Sequence, residues 1–419
     1  MKKQNAFILY AVLAAGLTLV FVSLANAIID PFGVFRWMEI PGVNIHKPAI
    51  NIEDSRNKLQ AIGLIKPQSL VLGSSRTETG INPNSPYWLD AKLPTYNLSL
   101  VSGTMSVVNE YFLHANTIRP VKNVLLGVDL VMFKEYIRDK EVSSRINAHR
   151  RNIRTSDIEA NLYYLLSLDA LRASVKTVLQ QSTPGNQDYL YNGQRSPLTF
   201  KNRQASLGHG KMFQTQEKKY IFQQRYTDSQ RGRYVFNNSE QQSTNIKAFT
   251  NLVNACLANN TKLKIFINPV HARQQEIIYQ ENQWHTFETW KREMVRIIEN
   301  ANEHYSPAEP VQLWDFTGYN TVTMETVPGL GDTKTVMHWY WESSHYTAAV
   351  GDLILKRMYN IDTKDVPADF GIRLNSANIE QHLLDLRRSR ENYAASNGDD
   401  VDTIRSLLKL REDKFRRYR

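Results

Sequence analysis

Two short stretches of this chain hold residue types that together can make and break an acyl bond. The first is Val71-Leu72-Gly73-Ser74-Ser75-Arg76, in which an apolar run ends in Gly-x-Ser. Such a strand-to-turn junction exposes a nucleophilic hydroxyl and leaves backbone N–H groups free to face an oxyanion. The second is Trp341-Glu342-Ser343-Ser344-His345-Tyr346. A carboxylate three residues before a histidine can hold the imidazole by one nitrogen and leave the other to take a proton. Ser75, His345 and Glu342 are thus the parts of a nucleophile–base–orienter relay. Either stretch alone is common turn or loop chemistry; the pairing gives the reading its weight.

The elements that would position these residues alternate regularly. A helical patch over Ile52 to Leu64 stops at Lys66-Pro67. Strand candidates follow at Ser69 to Leu72, Thr95 to Leu98, Val121 to Asp129, Lys262 to Ile267 and Val311 to Phe316. Helical patterns between them include Met105 to Ala115, Ala248 to Leu257 and Glu288 to Ala301. That alternation predicts an α/β fold, a parallel sheet with helices on both faces. Sites in such sheets form beyond the carboxyl ends of the strands, where Gly73, Gly103, Asp129 and Asn268 all fall.

Residues 138–236 break the rhythm and read as an insertion that lids or flanks the site. Ser156 is the expected cap of a helix carrying Ile158, Leu162, Leu165 and Leu166. Ser167 or Asp169 caps a second, with Leu171, Val175, Val178 and Leu179 as its stripe. Beyond Pro184 the insertion is polar, with little periodicity. Its Arg145, Arg150, Arg151, Arg154 and tyrosines form either a solvated basic face or a surface for a glycan or anionic lipid head. After about residue 360 two amphipathic helices are expected, Ile379 to Arg387 and Thr403 to Tyr418. The stripe Ile404, Leu407 and Leu408 either packs back on the domain or meets a membrane or partner.

Residues Ala6 to Ala27 are 22 in a row without charge, preceded by Lys2 and Lys3. At about 1.5 Å per residue they can cross a hydrocarbon core of about 30 Å. Basic residues ahead of the run and none behind it until Arg36 put the N-terminus in the cytoplasm and the bulk outside. Phe32, Phe35 and Trp37 suggest an interfacial belt and an uncleaved anchor, although Ala25-Asn26-Ala27 also fits a signal-peptide cleavage site. Of the net charge of +10, about half sits in the last fifteen residues, with seven basic and two acidic side chains. Export would separate that tail from nucleic acid, which is not an expected partner. Cys256 is the one cysteine, so no intrachain disulfide forms, and its apolar surroundings suggest a core residue. No His or Cys spacing suits a metal, and no Gly-rich phosphate loop is present, so no cofactor is expected.

With these residues in order, the chain resembles the SGNH (GDSL-type) hydrolase superfamily. In particular it resembles the membrane-anchored branch that acylates bacterial envelope polymers, such as the alginate O-acetylation and teichoic-acid D-alanylation proteins. The resemblance covers roughly residues 65–360 apart from the insertion. Gly73-Ser74-Ser75 stands where that family has Gly-Asp-Ser, making Ser75 the nucleophile and its N–H one oxyanion donor. Gly103 matches the second-block glycine, another donor, and Glu342-Ser343-Ser344-His345 matches the Asp-x-x-His block. The resemblance implies a three-layer α/β/α domain with a five-stranded parallel sheet, split into residues 29–137 and 237–360. It also implies an inner-membrane, single-pass location and, on that ground alone, a polytopic membrane acyl donor.

Three positions depart from the family pattern. Ser74 and Glu342 each replace an aspartate. Gly127-Val128-Asp129 stands where the family has Gly-x-Asn-Asp, so the oxyanion-donating asparagine is absent. An ionised carboxylate cannot donate, and losing such a donor costs roughly 3–4 kcal/mol of transition-state stabilisation. Among other candidates, Arg76 either clamps an anionic substrate or pairs with Glu78, and His271 either lines the site or is structural. The expected function is an exported serine-dependent acyl esterase or O-acyltransferase acting on an envelope polysaccharide or glycolipid. The rival is a catalytically inactive glycan-binding assembly protein built on the same cleft.

Overall fold

The computed structural model describes residues 2–50, 54–88, 93–137, 140–154, 157–182, 189–236 and 243–416. The strands among them are β1 (Ser69–Leu72), β2 (Thr95–Asn97), β3 (Asn123–Val128), β4 (Lys134–Tyr136), β5 (Gly232–Tyr234), β6 (Lys262–Ile267), β7 (Gln312–Asp315) and β8 (Ile372–Leu374). The central sheet runs β2-β1-β3-β6-β7-β8, with the first five strands parallel and β8 antiparallel on β7. The protein is therefore α/β, with its five expected apolar runs as the parallel strands. The expected count of five is corrected to six. Strand β8 is three residues long and Ile372 is 40% exposed, so no buried run marks it in the sequence.

Side chains alternate across the sheet as the pleat requires. Leu70, Leu72, Leu126 and Val128 enter one core with the helices Met105–Ile118, Thr244–Ala258 and Trp284–Tyr305. Val71, Leu125 and Phe266 enter a second core with the helix Ala348–Tyr359. Cys256 is fully buried in the first. From β1 the chain moves to β2 on one side, whereas β3 leads to β6 on the other. The carboxyl ends of β1 and β3 therefore flank a topological switch point, where such sheets leave a crevice.

The insertion begins and ends at a separate ribbon, in which β4 pairs antiparallel with β5. It carries the helices Lys140–Arg154, Asp157–Leu166, Leu168–Leu179, Leu198–Leu207 and His209–Phe222. Ser167 caps the third of these, its Oγ accepting from the Ala170 N–H at 3.0 Å; Ser156 lies outside the described residues. The last two helices occupy the stretch expected to be irregular. One buries only Phe200, and the other buries Glu217 beside Met212 and Phe213, so neither shows an apolar stripe. Glu217 is tolerated there because Arg273 meets it at 2.8 Å.

Beyond residue 360 the helices Ile379–Ser396 and Gly398–Arg416 pack back on the domain, with Ile404, Leu407 and Leu408 buried in the first core. At the other end, the helix Lys2–Ile29 has a 26-residue stretch, Gln4–Ile29, whose most apolar 18-residue window has a mean hydropathy of 2.4, long and apolar enough to span a membrane. The expected aromatic belt is only partly there: Trp37 is 67% exposed, but Phe32 is buried against Tyr164. The Asp30 carboxylate accepts the Val34 and Arg36 N–H groups at 2.7 and 2.8 Å, which folds the chain back after the helix.

Candidate active site

Strand β1 gives way to Gly73, where a Cβ would lie 2.6 Å from the Gly127 carbonyl oxygen, so only glycine lets the turn approach β3 this closely. A short helix, Ser75–Gly80, follows at once. Ser74 is its cap, its Oγ accepting the Arg76 N–H at 3.3 Å. Ser75 is thereby the first helical residue. Its N–H has no acceptor among the described residues and points from a helix start, where an oxyanion is favoured.

The second stretch forms a tight loop ahead of the helix Ala348–Tyr359. Tyr340 bridges to Tyr346, and the Trp341 N–H donates to the His345 carbonyl at 2.9 Å. The loop turns Glu342 back on His345, whose Nδ1 hydrogen-bonds the Glu342 carboxylate. The other Glu342 oxygen accepts the Ser344 N–H at 3.0 Å, which fixes the carboxylate. A carboxylate accepts, so Nδ1 carries the ring hydrogen and Nε2 is left to accept. Nε2 stands 2.8 Å from Ser75 Oγ. Ser75, His345 and Glu342, 270 residues apart at the extremes, thus meet as one hydrogen-bonded chain in the lining of a cleft of about 210 Å³.

Arg76 is almost fully buried beside Ser75 and organises its surroundings. Its guanidinium pairs with the Asp129 carboxylate, which also accepts the Ser74 hydroxyl. Arg76 further donates to Ser344 Oγ at 3.0 Å and to the hydroxyls of Tyr220 and Tyr226 at 3.1 Å each. Burial alone would lower its pKa; the Asp129 carboxylate together with the Tyr220 and Tyr226 hydroxyls outweighs that and holds it well above the usual arginine value. One side chain therefore ties the Ser75 turn to the His345 loop, to the end of β3 and to the insertion. The expected partner Glu78 instead meets Lys58 at 2.6 Å. Residues two apart on a helix do not face each other.

The remaining candidates divide. Ser74, Arg76 and Gly103 line the cleft. The Gly103 N–H, however, donates to the Leu100 carbonyl at 3.0 Å, closing a turn in which Ser102 takes a positive φ of 57°. As an oxyanion donor Gly103 is therefore engaged elsewhere in this structure. Asp129 sits behind the cleft with its charge matched by Arg76. Asn268 is buried, donating to the Val128 carbonyl at 3.2 Å and accepting from Tyr346 at 2.8 Å. His271 is buried too. It caps the helix Ala272–Gln280, with Nδ1 accepting the Arg273 N–H at 3.2 Å and Nε2 donating to the Glu325 carbonyl at 2.7 Å. Burial pushes its imidazole down to about 3. Neither Asn268 nor His271 reaches the relay.

The insertion supplies the wall that residue patterns did not reveal. Phe200 packs 5.7 Å from the His345 ring and stacks on Trp341. Arg195, Arg203, Lys219 and Arg225 line the same cleft, against the single carboxylate Glu342. The Arg- and Tyr-rich composition after Pro184 was the only sequence signal for them, and composition carries no positions. No protein-family model matches the chain, and no curated protein or solved structure is similar enough to count as a match.

Proposed function

We propose that this chain is a membrane-anchored serine acyl esterase or O-acyltransferase of the SGNH type. Its substrate would be an acylated polysaccharide or glycolipid of the cell envelope. The observation that carries the reading is the 2.8 Å approach of His345 Nε2 to Ser75 Oγ with Glu342 on the opposite ring nitrogen. Ser75 Oγ attacks the acyl carbonyl while its proton passes to His345 Nε2, and Glu342 stabilises the imidazolium. The negative oxygen develops at the start of the helix Ser75–Gly80, where the Ser75 N–H is free to donate. His345 then returns the proton to the departing alkoxide, leaving an acyl-serine ester. Water or a sugar hydroxyl, deprotonated by the same nitrogen, attacks that ester and regenerates Ser75.

The Arg76–Asp129 pair changes the weight of the missing asparagine. Asp129 donates nothing to an oxyanion, yet its charge is matched and does not face the reaction as a bare carboxylate. With one backbone donor free, every attack through the tetrahedral oxyanion is slowed, by water and by sugar alike, so transfer would be favoured by a glycan hydroxyl held in place in the cleft. Four cations on the insertion wall favour an acidic acceptor. Export, with the bulk of the chain outside the inner membrane, and a polytopic membrane acyl donor complete the proposal; they rest on the charge pattern and on the resemblance.

The engaged Gly103 N–H favours one rival, a noncatalytic protein that binds a glycan in this cleft. Labelling with a fluorophosphonate separates them: an active relay is labelled on Ser75, and Ser75→Ala abolishes the label. A folded protein that takes no label while retaining glycan affinity would establish the rival.

A further inference from the structure

The two helices Asp157–Leu166 and Leu168–Leu179 bury the wrong residues for an ordinary surface pair. The second buries Ala170, Ala173, Ser174 and Thr177, the small and polar side of its cylinder. The large apolar residues point outward: Leu168 is 70% exposed, Val175 53% and Leu179 75%, with Leu162 of the neighbouring helix at 53%. What the small face packs on is the end of the N-terminal helix. Asn26 Nδ2 donates to the Leu165 carbonyl at 2.9 Å, and Ser174 Oγ donates to Asn26 Oδ1 at 2.8 Å.

That junction is rigid. Asn44 Nδ2 donates to the Ile28 carbonyl at 2.7 Å, and Lys47 Nζ to the Asp30 carbonyl at 2.9 Å, so side chains cap the helix end. The stretch Gln4–Ile29 has 26 residues. At about 1.5 Å each they span about 39 Å, roughly 9 Å more than a hydrocarbon core of about 30 Å. With the core entered at Ala6, where the apolar run begins, about twenty residues fill it and Asn26–Ile29 come out at headgroup depth, and the two insertion helices pack on that segment at Asn26.

We propose that the exposed apolar stripe of these helices, with Trp37, lies in the interfacial layer of the bilayer that the N-terminal helix crosses. The body would then be docked flat on the membrane, not tethered to it. The inference rests on the membrane anchoring in the functional proposal but not on the catalysis. Interfacial helices show this arrangement, an apolar stripe inward and cations such as Arg172 and Lys176 reaching back to the headgroups. Continuity with the apolar N-terminal helix is what selects lipid as the occupant over a second protein.

The test reconstitutes the full chain in vesicles of phosphatidylcholine and phosphatidylglycerol and labels single cysteines with a nitroxide. The native Cys256 is fully buried and stays unlabelled. Leu13→Cys reports the anchor, Val175→Cys and Leu179→Cys report the stripe, and Leu113→Cys and Leu207→Cys are exposed apolar controls elsewhere. Collision with oxygen, which partitions into lipid, is compared with collision with a water-soluble nickel complex. Positions 175 and 179 should favour oxygen several-fold over positions 113 and 207. Equal ratios at all four, with position 13 in lipid, overturn the docking and leave the anchor standing. Shielding of 175 and 179 from both probes also overturns it, in favour of a protein partner. A water-exposed position 13 would remove the anchor and the docking together.

Discussion

Two histidines in this molecule sit at corresponding places, each on a loop that enters a helix near the carboxyl edge of the sheet. His345 faces a carboxylate through Nδ1 and a hydroxyl through Nε2, in the lining of a cleft. His271 faces backbone on both sides, an N–H and a carbonyl, and lies inside the protein. The carboxylate can stabilise an imidazolium, and the hydroxyl has a proton to give. Backbone partners fix a neutral ring and ask nothing more of it. A ring's neighbours, more than its place in the fold, decide whether it does chemistry.

The two rings should differ most under substitution at Ser75 and His345. Ser75→Ala or His345→Ala should lower turnover of an acyl ester by roughly 10⁴–10⁶-fold with the circular dichroism unchanged. Undiminished turnover in either variant would remove the distinction between the two histidines. Glu342→Gln keeps the shape but lets the ring settle in the wrong tautomer, and turnover should drop by roughly 10³–10⁴-fold. Arg76→Ala removes the cation that matches Asp129. It should cost about 3–5 kcal/mol of stability by denaturant titration, because a buried carboxylate is left unpaired. Adding Asp129→Asn to that variant should recover part of the loss.

The smallest effect is expected at His271. His271→Gln keeps a side-chain amide near the Glu325 carbonyl and should leave turnover within a few-fold of the parent. Its signature lies in pH. The unfolded chain takes a proton on this ring near 6.5, whereas the folded protein resists until about 3. Stability from the neutral ring is therefore complete above about 6.5 and is lost as pH falls toward 3, by at most about 1.4 kcal/mol per unit. Chemical denaturation across that window should be less steep in pH for His271→Gln. An equal slope would mean that the ring carries no such linkage.

The grouping of Ser75, His345 and Glu342 and the five parallel strands were legible in the sequence because both are local signals, short apolar runs and triplet spacings. What escaped it depends on contacts across the chain. Arg76 reads as a partner of Glu78 until the fold brings Asp129 beside it. Gly103 reads as a donor until the turn at Leu100 takes up its N–H. Strand β8 has one buried residue of three and is a strand only because β7 offers an unpaired edge. The stripe Val175 and Leu179 was recognised as a stripe, but periodicity cannot say whether lipid or protein covers it.

The ribbon of β4 and β5 has a consequence for how such a protein can change. Paired strands lie about 4.8 Å apart, so the segment between them leaves and rejoins the sheet domain at nearly one point. The closure cost of such a segment grows only slowly with its length. Chain closure therefore sets little limit on what hangs from that neck, although a replacement would have to meet Arg76 and Arg273 as Tyr220, Tyr226 and Glu217 do. In this chain the insertion supplies Phe200 and the cationic wall of the cleft, as well as the helices that grip Asn26. Exchanging it would change the wall of the cleft and the fit to the N-terminal helix in one evolutionary step, while Ser75, His345 and Glu342 stayed where they are.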